Sequence, residues 1–161
     1  MISVPISSEI DEEARNLAKQ RNKKPAAYNK RFTKEYGDFE IHHMSLLAEL
    51  AWEVLTGWEV DREPKWGDGG IDFVRNGRTY QLKTRNSERR PNPDLLCRLD
   101  YAKADRYILS EFKDNIVTFI GWCTKEELMQ HTITIPGKGM RFVRKQSQLR
   151  AFPEELFNKE V

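Results

Sequence analysis

The chain has 161 residues, a length typical of one domain, and 39% of them are apolar, enough for a core without disulfides or a structural metal. Charged residues make up 32% of the chain and no long apolar run is present, which excludes a transmembrane helix and predicts a densely ionic surface. The net charge is only +2, and two cysteines are too few for a disulfide framework, so we expect reduced thiols in a cytoplasm-like compartment. The first residues, MISVPISSEIDEE, have neither a basic nor an apolar region, so no secretory signal is expected.

The charges are unevenly distributed along the chain. Every charged residue from Arg15 to Lys34 is basic, residues 35–63 are mostly acidic, and residues 75–90 and 138–150 are again mostly basic. Basic segments around an acidic one can hold a polyanion next to a cation site. Solvated faces that keep the domain soluble are the alternative interpretation.

Two helices are predicted before the first strands. Acidic residues in the first turn and basic residues in the last predict a helix over residues 8–21. Residues 22–38 are interpreted as a linker with a helical turn around 28–32. Apolar residues at spacings of three and four then predict a helix over 39–55, which Gly57 ends.

The clearest strand signal is a β-hairpin over residues 71–84. Two alternating, β-rich segments flank Asn76 and Gly77, a pair typical of two-residue type I′ turns. Just upstream, Trp58 and Val60 alternate with polar residues, which predicts a short strand.

The rest of the chain predicts further strands and two short helices, which together indicate a mixed α/β sheet. In chain order these are a polar loop over 84–94, strands over 105–112 and 116–122, a helix over 124–130 with a capping box from Thr124 to Glu127, a hairpin of 132–135 with 140–143, and a short helix within 149–161.

The hairpin turn fixes which side chains share a face. Counting outward from Asn76 and Gly77 places Asp72 opposite Gln81, and Lys83 lies two residues further along the same face. The other face is expected to enter the core with Ile71, Phe73, Tyr80 and Leu82.

This face has the groups that a magnesium-dependent reaction needs. Mg²⁺ prefers hard oxygen ligands and keeps several waters, so Asp72 with the Gln81 amide oxygen or a backbone carbonyl is a plausible set. Lys83 is placed to orient a water or to stabilise charge on a phosphodiester, and Glu49 in the preceding helix could complete the set. An ordinary polar sheet face with an ion pair is the alternative.

The order of these segments resembles the PD-(D/E)xK nuclease superfamily. A helical Glu in AELAWEVLTG, then GDGGIDF, a hairpin and YQLKT are similar to the variant with Gln in place of the second acid, found among Mrr-like restriction endonucleases and small phage nucleases. The resemblance covers residues 39–122. It implies a restriction-endonuclease-like mixed central sheet flanked by helices over 39–161, preceded by a basic helical arm over 1–38.

The same resemblance implies the roles of individual residues. Glu49 corresponds to the helix carboxylate, Asp72 to the metal-bridging acid, Gln81 to the position usually held by Asp or Glu, and Lys83 to the catalytic lysine. Glu49, Asp72 and Gln81 would bind Mg²⁺, for which Mn²⁺ could substitute, and the reaction would be endonucleolytic hydrolysis of DNA.

Two positions depart from the family pattern. Ile71 stands where many members have Pro, and Gln81 brings no charge to the metal. Asp68 or Glu63 in the adjoining loop could compensate, although turn capping is the simpler role for both. Glu53, one helical turn after Glu49, competes for the role of the helix carboxylate.

Basic residues near these motifs are expected to contact nucleic-acid phosphates, and Trp66 could stack on a base. The candidates are Lys23, Lys24, Lys30, Arg85, Arg89 and Arg90. DNA is the expected partner and RNA the alternative, and cleavage of both strands would suggest a homodimer or higher homo-oligomer. The competing functions are an inactive nucleic-acid-binding module on the same fold, a sequence-specific homing or restriction enzyme, and a structural protein.

Overall fold

The computed structural model describes residues 1–21, 38–63 and 70–156. These ranges contain eight β-strands, three α-helices and short 3₁₀ turns, which in chain order are β1 (Ile2–Pro5), α1 (Ser8–Arg21), α2 (Asp38–Thr56), β2 (Phe73–Arg75), β3 (Arg78–Asn86), β4 (Leu95–Arg98), a 3₁₀ turn (Leu99–Tyr101), β5 (Arg106–Lys113), β6 (Ile116–Thr124), α3 (Lys125–Leu128), β7 (Thr132–Ile135), β8 (Gly139–Arg144), and 3₁₀ turns at Gln146–Gln148 and Glu154–Leu156.

The strands form two sheets. The larger has the order β1-β6-β5-β3-β2, and it is mixed because β3 and β5 run parallel while the other neighbours are antiparallel. The smaller is an antiparallel sheet of β4, β8 and β7. The prediction of a mixed α/β sheet is therefore confirmed.

Two hydrophobic cores lie on opposite sides of β5. On one side, Trp52 of α2 is fully buried, with its ring centroid 4.9 Å from that of Phe119 in β6, and Ile108 of β5 belongs to the same cluster. On the other side, Tyr107 and Leu109 of β5 pack in a second cluster with residues of the small sheet. Since side chains alternate along a strand, β5 supplies both cores and ties the small sheet to the large one.

The described part of the N-terminal arm packs on the rest of the protein. Ala14, Leu17 and Ala18 of α1 lie in the same core cluster as α2, and β1 pairs with β6 at the edge of the large sheet. A domain boundary at residue 38 stays a prediction, and the linker with its helical turn at 28–32 lies mainly outside the described residues.

Most locally encoded elements are confirmed. Helix α1 has the predicted bounds, and α2 extends the second predicted helix by one residue at each end. Asn76 and Gly77 have φ of 51° and 72°, as a type I′ turn requires. The capping box of Thr124 and Glu127 is present, although α3 is shorter than predicted, and β7 pairs with β8 as expected.

The strand predicted through Trp58 and Val60 is wrong. Both side chains are buried, which explains their alternation with polar residues, but this segment has no strand assignment. The N–H of Val60 donates to Oε2 of Glu53 at 2.6 Å instead of to a neighbouring strand. The ring of Trp58 packs edge-on against Tyr80, with centroids 4.8 Å apart.

Two strands and one strand extension were not predicted. β1 and β4 are each four residues long, and their partners lie far along the chain, in β6 and β8. The polar loop predicted from residue 84 begins later, because parallel pairing with β5 extends β3 to Asn86. In the tail, a 3₁₀ turn at Glu154–Leu156 stands where a helix was predicted, and residues 157–161 lie outside the described part.

Candidate functional site

A cleft of about 560 Å³ is lined by residues of α2, β3 and the small sheet. Glu49 from α2, Asp72 from the start of the hairpin, and Gln81 and Lys83 from β3 all line it. The four residues assigned to the reaction from the sequence therefore lie along one cavity, although Glu49 and Lys83 are 34 positions apart in the chain.

The hairpin has the predicted register over three pairs, and it ends at Phe73 opposite Tyr80. The expected fourth pair, Asp72 with Gln81, is not part of the strand ladder. Instead, the Asp72 backbone N–H donates to the Tyr80 carbonyl at 2.8 Å, and Oδ2 of Asp72 accepts from the backbone N–H of Leu82 at 2.7 Å. The carboxylate of Asp72 is thus held at the edge of β3 by a main-chain donor.

The prediction that all four apolar hairpin residues enter one core is wrong for Ile71. Phe73 and Leu82 are buried in the core beneath α2, and Tyr80 packs against it. Ile71 lines the cleft and packs against the second core. The reason is that β2 begins only at Phe73, so the strand alternation does not extend back to residue 71.

Gln81 is one of three described residues, with Trp52 and Arg144, that have a buried side-chain polar atom without a hydrogen-bond partner. Its side chain is only 7% exposed, and among the described residues its amide oxygen Oε1 is buried without a hydrogen-bond partner. A buried acceptor left unpaired costs about 1–3 kcal/mol, so such atoms are rare unless a ligand or water completes them. An amide oxygen is also a ligand type that hard divalent cations accept.

The chain approaches Gln81 closely through a glycine. Gly70 has φ of +82°, and a Cβ there would lie 3.0 Å from the carbonyl oxygen of Tyr101 and 3.6 Å from Nε2 of Gln81. Glycine tolerates this backbone conformation and leaves room for the two neighbours. Gly70 therefore allows the segment leading to Asp72 to pack against the Gln81 amide.

Glu49 is a buried carboxylate beside an arginine of the N-terminal helix. It is 7% exposed, and its Oε2 lies 3.9 Å from Nη2 of Arg21, which also donates to the carbonyl of Asp61 at 3.2 Å. Arg21 lines the cleft. The last turn of α1 was predicted to be basic, but no sequence pattern indicated that it reaches Glu49.

Glu49 and Glu53, the two candidates for the helix carboxylate, have different surroundings. Oε1 and Oε2 of Glu53 accept from Arg62 at 2.7 and 3.0 Å, and Oε2 also accepts from the Val60 N–H. Hydrogen bonds from Arg62 hold the pKa of Glu53 below its usual value. Among the described residues that line the cleft, Glu49 is present and Glu53 is not. Glu53 thus holds the segment after α2 in place, and Glu49 is the one of these two α2 carboxylates that lines the cleft.

The loop residues proposed to compensate for Gln81 are only partly described. Glu63 lines the cleft, and its backbone N–H donates to Oδ1 of Asp61 at 3.0 Å. Turn capping in this segment is thus done by Asp61 rather than by Glu63. Asp68 and Trp66 lie outside the described residues.

The predicted phosphate-contacting residues separate into three groups. Arg85 and Arg90 line the cleft. Arg89 is exposed in the turn after β3 and is not among the described residues of the cleft wall. Lys23, Lys24 and Lys30 lie outside the described residues.

The cleft wall carries an excess of positive charge. In the described part of the chain it contains seven Lys or Arg side chains and four Asp or Glu side chains. Sequence analysis missed Arg98, Lys138 and Arg141, which come from the small sheet and its hairpin turn. The basic segment from residue 138 includes Lys138 and Arg141, whereas no pattern in the sequence singled out Arg98. The position of these residues at the cleft depends on the unpredicted pairing of β4 with β8.

A cation in this cleft would have a mixed set of ligands. The described residues contain no group of three or more His, Cys, Asp or Glu arranged for a metal ion. Two carboxylates with one amide oxygen nevertheless fit Mg²⁺, which often binds one or two carboxylates and completes its shell with water and substrate phosphate. The unpartnered Oε1 of Gln81 is the observation that favours such a ligand.

Comparison of the chain with known protein families, with characterised proteins and with solved structures finds no match. Within the ranges described, no helix is both long and apolar enough to cross a membrane.

Proposed function

We propose that the protein is a metal-dependent endonuclease that hydrolyses DNA phosphodiester bonds, on a fold of the restriction-endonuclease type. The observation that carries the proposal is that Glu49, Asp72, Gln81 and Lys83 line one cleft with an excess of basic residues. Their combination of carboxylates, an amide and a lysine suits the binding and cleavage of a phosphodiester next to a divalent cation.

Asp72, Gln81 and Glu49 would hold Mg²⁺ or Mn²⁺. The bound ion would polarise a phosphoryl oxygen and make a water more acidic. The protein contributes the position of these ligands. The Leu82 N–H fixes the Asp72 carboxylate, the close approach of Gly70 packs the Gln81 amide, and Arg21 lies beside the buried carboxylate of Glu49.

Lys83 would act on the scissile phosphate itself. Its ammonium group makes no ion pair with a described carboxylate, and it shares a strand face with Gln81. Hydrogen bonds from Nζ to a non-bridging oxygen would stabilise the extra negative charge that develops as water attacks phosphorus. The water oxygen forms a bond to phosphorus and releases one proton to solvent, while the bond to the leaving oxygen breaks and that oxygen takes a proton from solvent.

A nucleic-acid-binding module without cleavage is the second candidate. Gln81 replaces a carboxylate, so the cleft offers less negative charge to a metal than the usual arrangement of the superfamily that the sequence resembles. The seven cations of the wall would still bind phosphates. Metal-dependent turnover separates the two candidates.

Two further properties belong to the same proposal. Cleavage of both strands by so small a chain would use two or more copies, which match the symmetry of the duplex. The two thiols are buried and unpaired in the described residues, Cys97 in β4 and Cys123 in β6, which suits a reducing, cytoplasmic compartment.

The test is cleavage of a supercoiled plasmid, and of an RNA of matched sequence, in Mg²⁺, Mn²⁺ or EDTA. We expect metal-dependent nicking or linearisation of DNA by the wild type. Lys83→Ala should reduce turnover by about 10²-fold or more, the scale for a positioned acid–base or charge-stabilising group.

Lys113→Ala is the matched control, since this lysine is exposed at the end of β5 and outside the cleft wall. Binding without turnover in either metal would favour the non-cleaving module. Equal cleavage by Lys83→Ala and Lys113→Ala would remove Lys83 from the reaction.

A further inference from the structure

The small sheet turns one face toward the core and the other toward the cleft. Cys97 of β4 pairs with Phe142 of β8, and both pack in the second core. The neighbouring pair, Arg98 with Arg141, lines the cleft. Since successive side chains point to opposite faces of a sheet, burial of the first pair directs the second pair to the cleft.

One face of β3 in the large sheet also lines the cleft. Gln81, Lys83 and Arg85 alternate along β3 and all line the cavity. Arg85, partly buried, lies two residues beyond the candidate catalytic lysine, and Arg90 follows in the turn after the strand. The cleft is thus bordered by arginines from both sheets.

Arg85, Arg90 and Arg141 line the same cleft, and their charges interact. Burial, together with the charges of Arg90 and Arg141, holds the pKa of the Arg85 guanidinium below its usual value. Burial raises the pKa of the Cys97 thiol, whereas the charges of Lys83, Arg141 and Arg85 act in the opposite direction. Arg85, Arg141 and Lys83, which line one cavity, are thus all close enough to Cys97 of β4 to influence its thiol.

Arg85, Arg90 and Arg141 also share the lack of a neutralising acidic side chain in the described part of the chain. Within the described ranges, no carboxylate forms an ion pair with Arg85, Arg90 or Arg141. Acidic partners do occur within 4.0 Å of Arg15, Arg21, Arg62, Arg98 and Arg150. Three neighbouring cations, one of them partly buried, repel one another unless an anion lies between them.

We infer that Arg85, Arg90 and Arg141 form a phosphate-binding subsite, which holds a backbone phosphate of the nucleic acid beside the phosphate that Lys83 contacts. The identity of this ligand rests on the proposed function, whereas the anion site rests on the arginines themselves. Guanidinium groups suit the role because their planar arrays of N–H donors bind phosphate oxygens in pairs, which an ammonium group does not do.

The experiment measures binding of a fluorescein-labelled oligonucleotide in EDTA, so that cleavage does not contribute, over a series of salt concentrations. Wild type is compared with Arg141→Ala, Arg85→Ala and Arg90→Ala. Arg75→Ala is the matched control, since this exposed arginine near the hairpin tip is outside the cleft wall. Arg90 is exposed in a turn, so its variant tests the subsite even if changes inside a strand disturb folding, which circular dichroism would reveal.

We expect each cleft variant to bind about tenfold or more weakly, and the control to bind like wild type. The slope of log K against log [salt] should become shallower by about 0.9 per lost contact on duplex DNA, or about 0.7 on a single strand. Arg141→Lys should recover only part of the affinity, because the paired hydrogen bonds are lost.

Additional arms identify the source of the phosphate. The oligonucleotide is used with and without a terminal phosphate, and inorganic phosphate is added as a competitor. Equal losses for both oligonucleotides would support an internal backbone phosphate. A loss confined to the phosphorylated end, or strong competition by inorganic phosphate with unchanged oligonucleotide slopes, would overturn that assignment.

The experiments can refute the phosphate-binding subsite and the proposed endonuclease activity independently of each other. The subsite would be overturned if all three variants had the same affinity and the same salt slope as Arg75→Ala, even if the wild type cleaves plasmid. Arginine-dependent binding by a protein that cleaves nothing in Mg²⁺ or Mn²⁺ would support the subsite and refute the hydrolase.

Discussion

The buried amide oxygen of Gln81 leads to a stability prediction that needs no cleavage assay. Gln81→Met keeps a side chain of similar length but removes the unpartnered Oε1. An unpaired buried acceptor costs about 1–3 kcal/mol, and loss of the amide contacts near Gly70 offsets part of the gain. We therefore expect the metal-free variant to be about 1 kcal/mol more stable than wild type, which for a chain of this size raises Tm by roughly 2–4 °C.

Addition of a divalent cation should reverse this order if Gln81 is a ligand. A cation at ten times its Kd stabilises the folded state by about 1.4 kcal/mol, since only the native protein has the assembled site. Wild type should gain this stabilisation from Mn²⁺, whereas Gln81→Met should gain much less. Gln81→Glu should be destabilised without metal, because a carboxylate is buried at this position, and should show the largest response to Mn²⁺.

The assay is urea unfolding of the three proteins in EDTA and in a Mn²⁺ series, with calorimetric titration of Mn²⁺ to obtain Kd. Equal Mn²⁺ responses in all three would place Gln81 outside the metal shell. One lost hydrogen bond costs about 1 kcal/mol. If metal-free Gln81→Met is less stable than wild type by that amount or more, the Gln81 amide makes a net stabilising contribution. Either result would refute the reasoning that joins the unpartnered oxygen to a cation.

Three further outcomes are expected. Glu49→Gln should lose cleavage by about 10²-fold, whereas Glu53→Gln should cleave like wild type but unfold about 1 kcal/mol more easily, because its pairing with an arginine and a main-chain N–H is weakened. Gly121→Ala should destabilise the fold by about 1–3 kcal/mol in urea, since a Cβ there would lie 2.7 Å from the carbonyl oxygen of Arg150. Burial raises the pKa of Cys123 to about 12, so its thiol should react with a disulfide reagent at pH 8 only after unfolding.

The parts of the fold that were predicted correctly depend on short-range interactions. Asn76 and Gly77 adopt positive φ at low cost, so the hairpin turn and three of its pairs follow from two residues. Thr124 and Glu127 satisfy each other's main-chain donors three residues apart, which starts α3 where predicted. Such signals are complete within a few positions and do not depend on the rest of the molecule.

The strands that were missed depend on partners far away in sequence. Each has only four residues, and their partners are β6 for β1 and β8 for β4. At Trp58 and Val60 a strand was predicted from their alternation with polar residues, but none forms. Their main-chain N–H groups donate to the side chains of Thr56 and Glu53 instead. A period of two indicates which side chains are buried, but the pairing of the backbone is decided by the tertiary structure.

In the candidate site, too, the arrangement within one strand could be predicted from the sequence, and contacts between distant segments could not. Gln81 and Lys83 could be placed together because strand alternation, counted from the turn, puts them on one face. Glu49 and Glu53 could not be distinguished from sequence, because both lie on α2 one turn apart. They differ in the structure because Glu53 binds Arg62, and no local sequence pattern predicts that the segment of Arg62 contacts α2.

The position of Arg141 in the small sheet depends on tertiary packing that no sequence pattern could predict. β5 has Tyr107 and Leu109 on the side of the second core, where the buried Cys97 of β4 also lies. Once this face of the small sheet is covered, its opposite face must carry the alternate residues, and Arg141 is directed to the cleft that Lys83 lines. The positive wall of the cleft is therefore a consequence of how the second core is buried, and it could be inferred only after the two sheets were placed together.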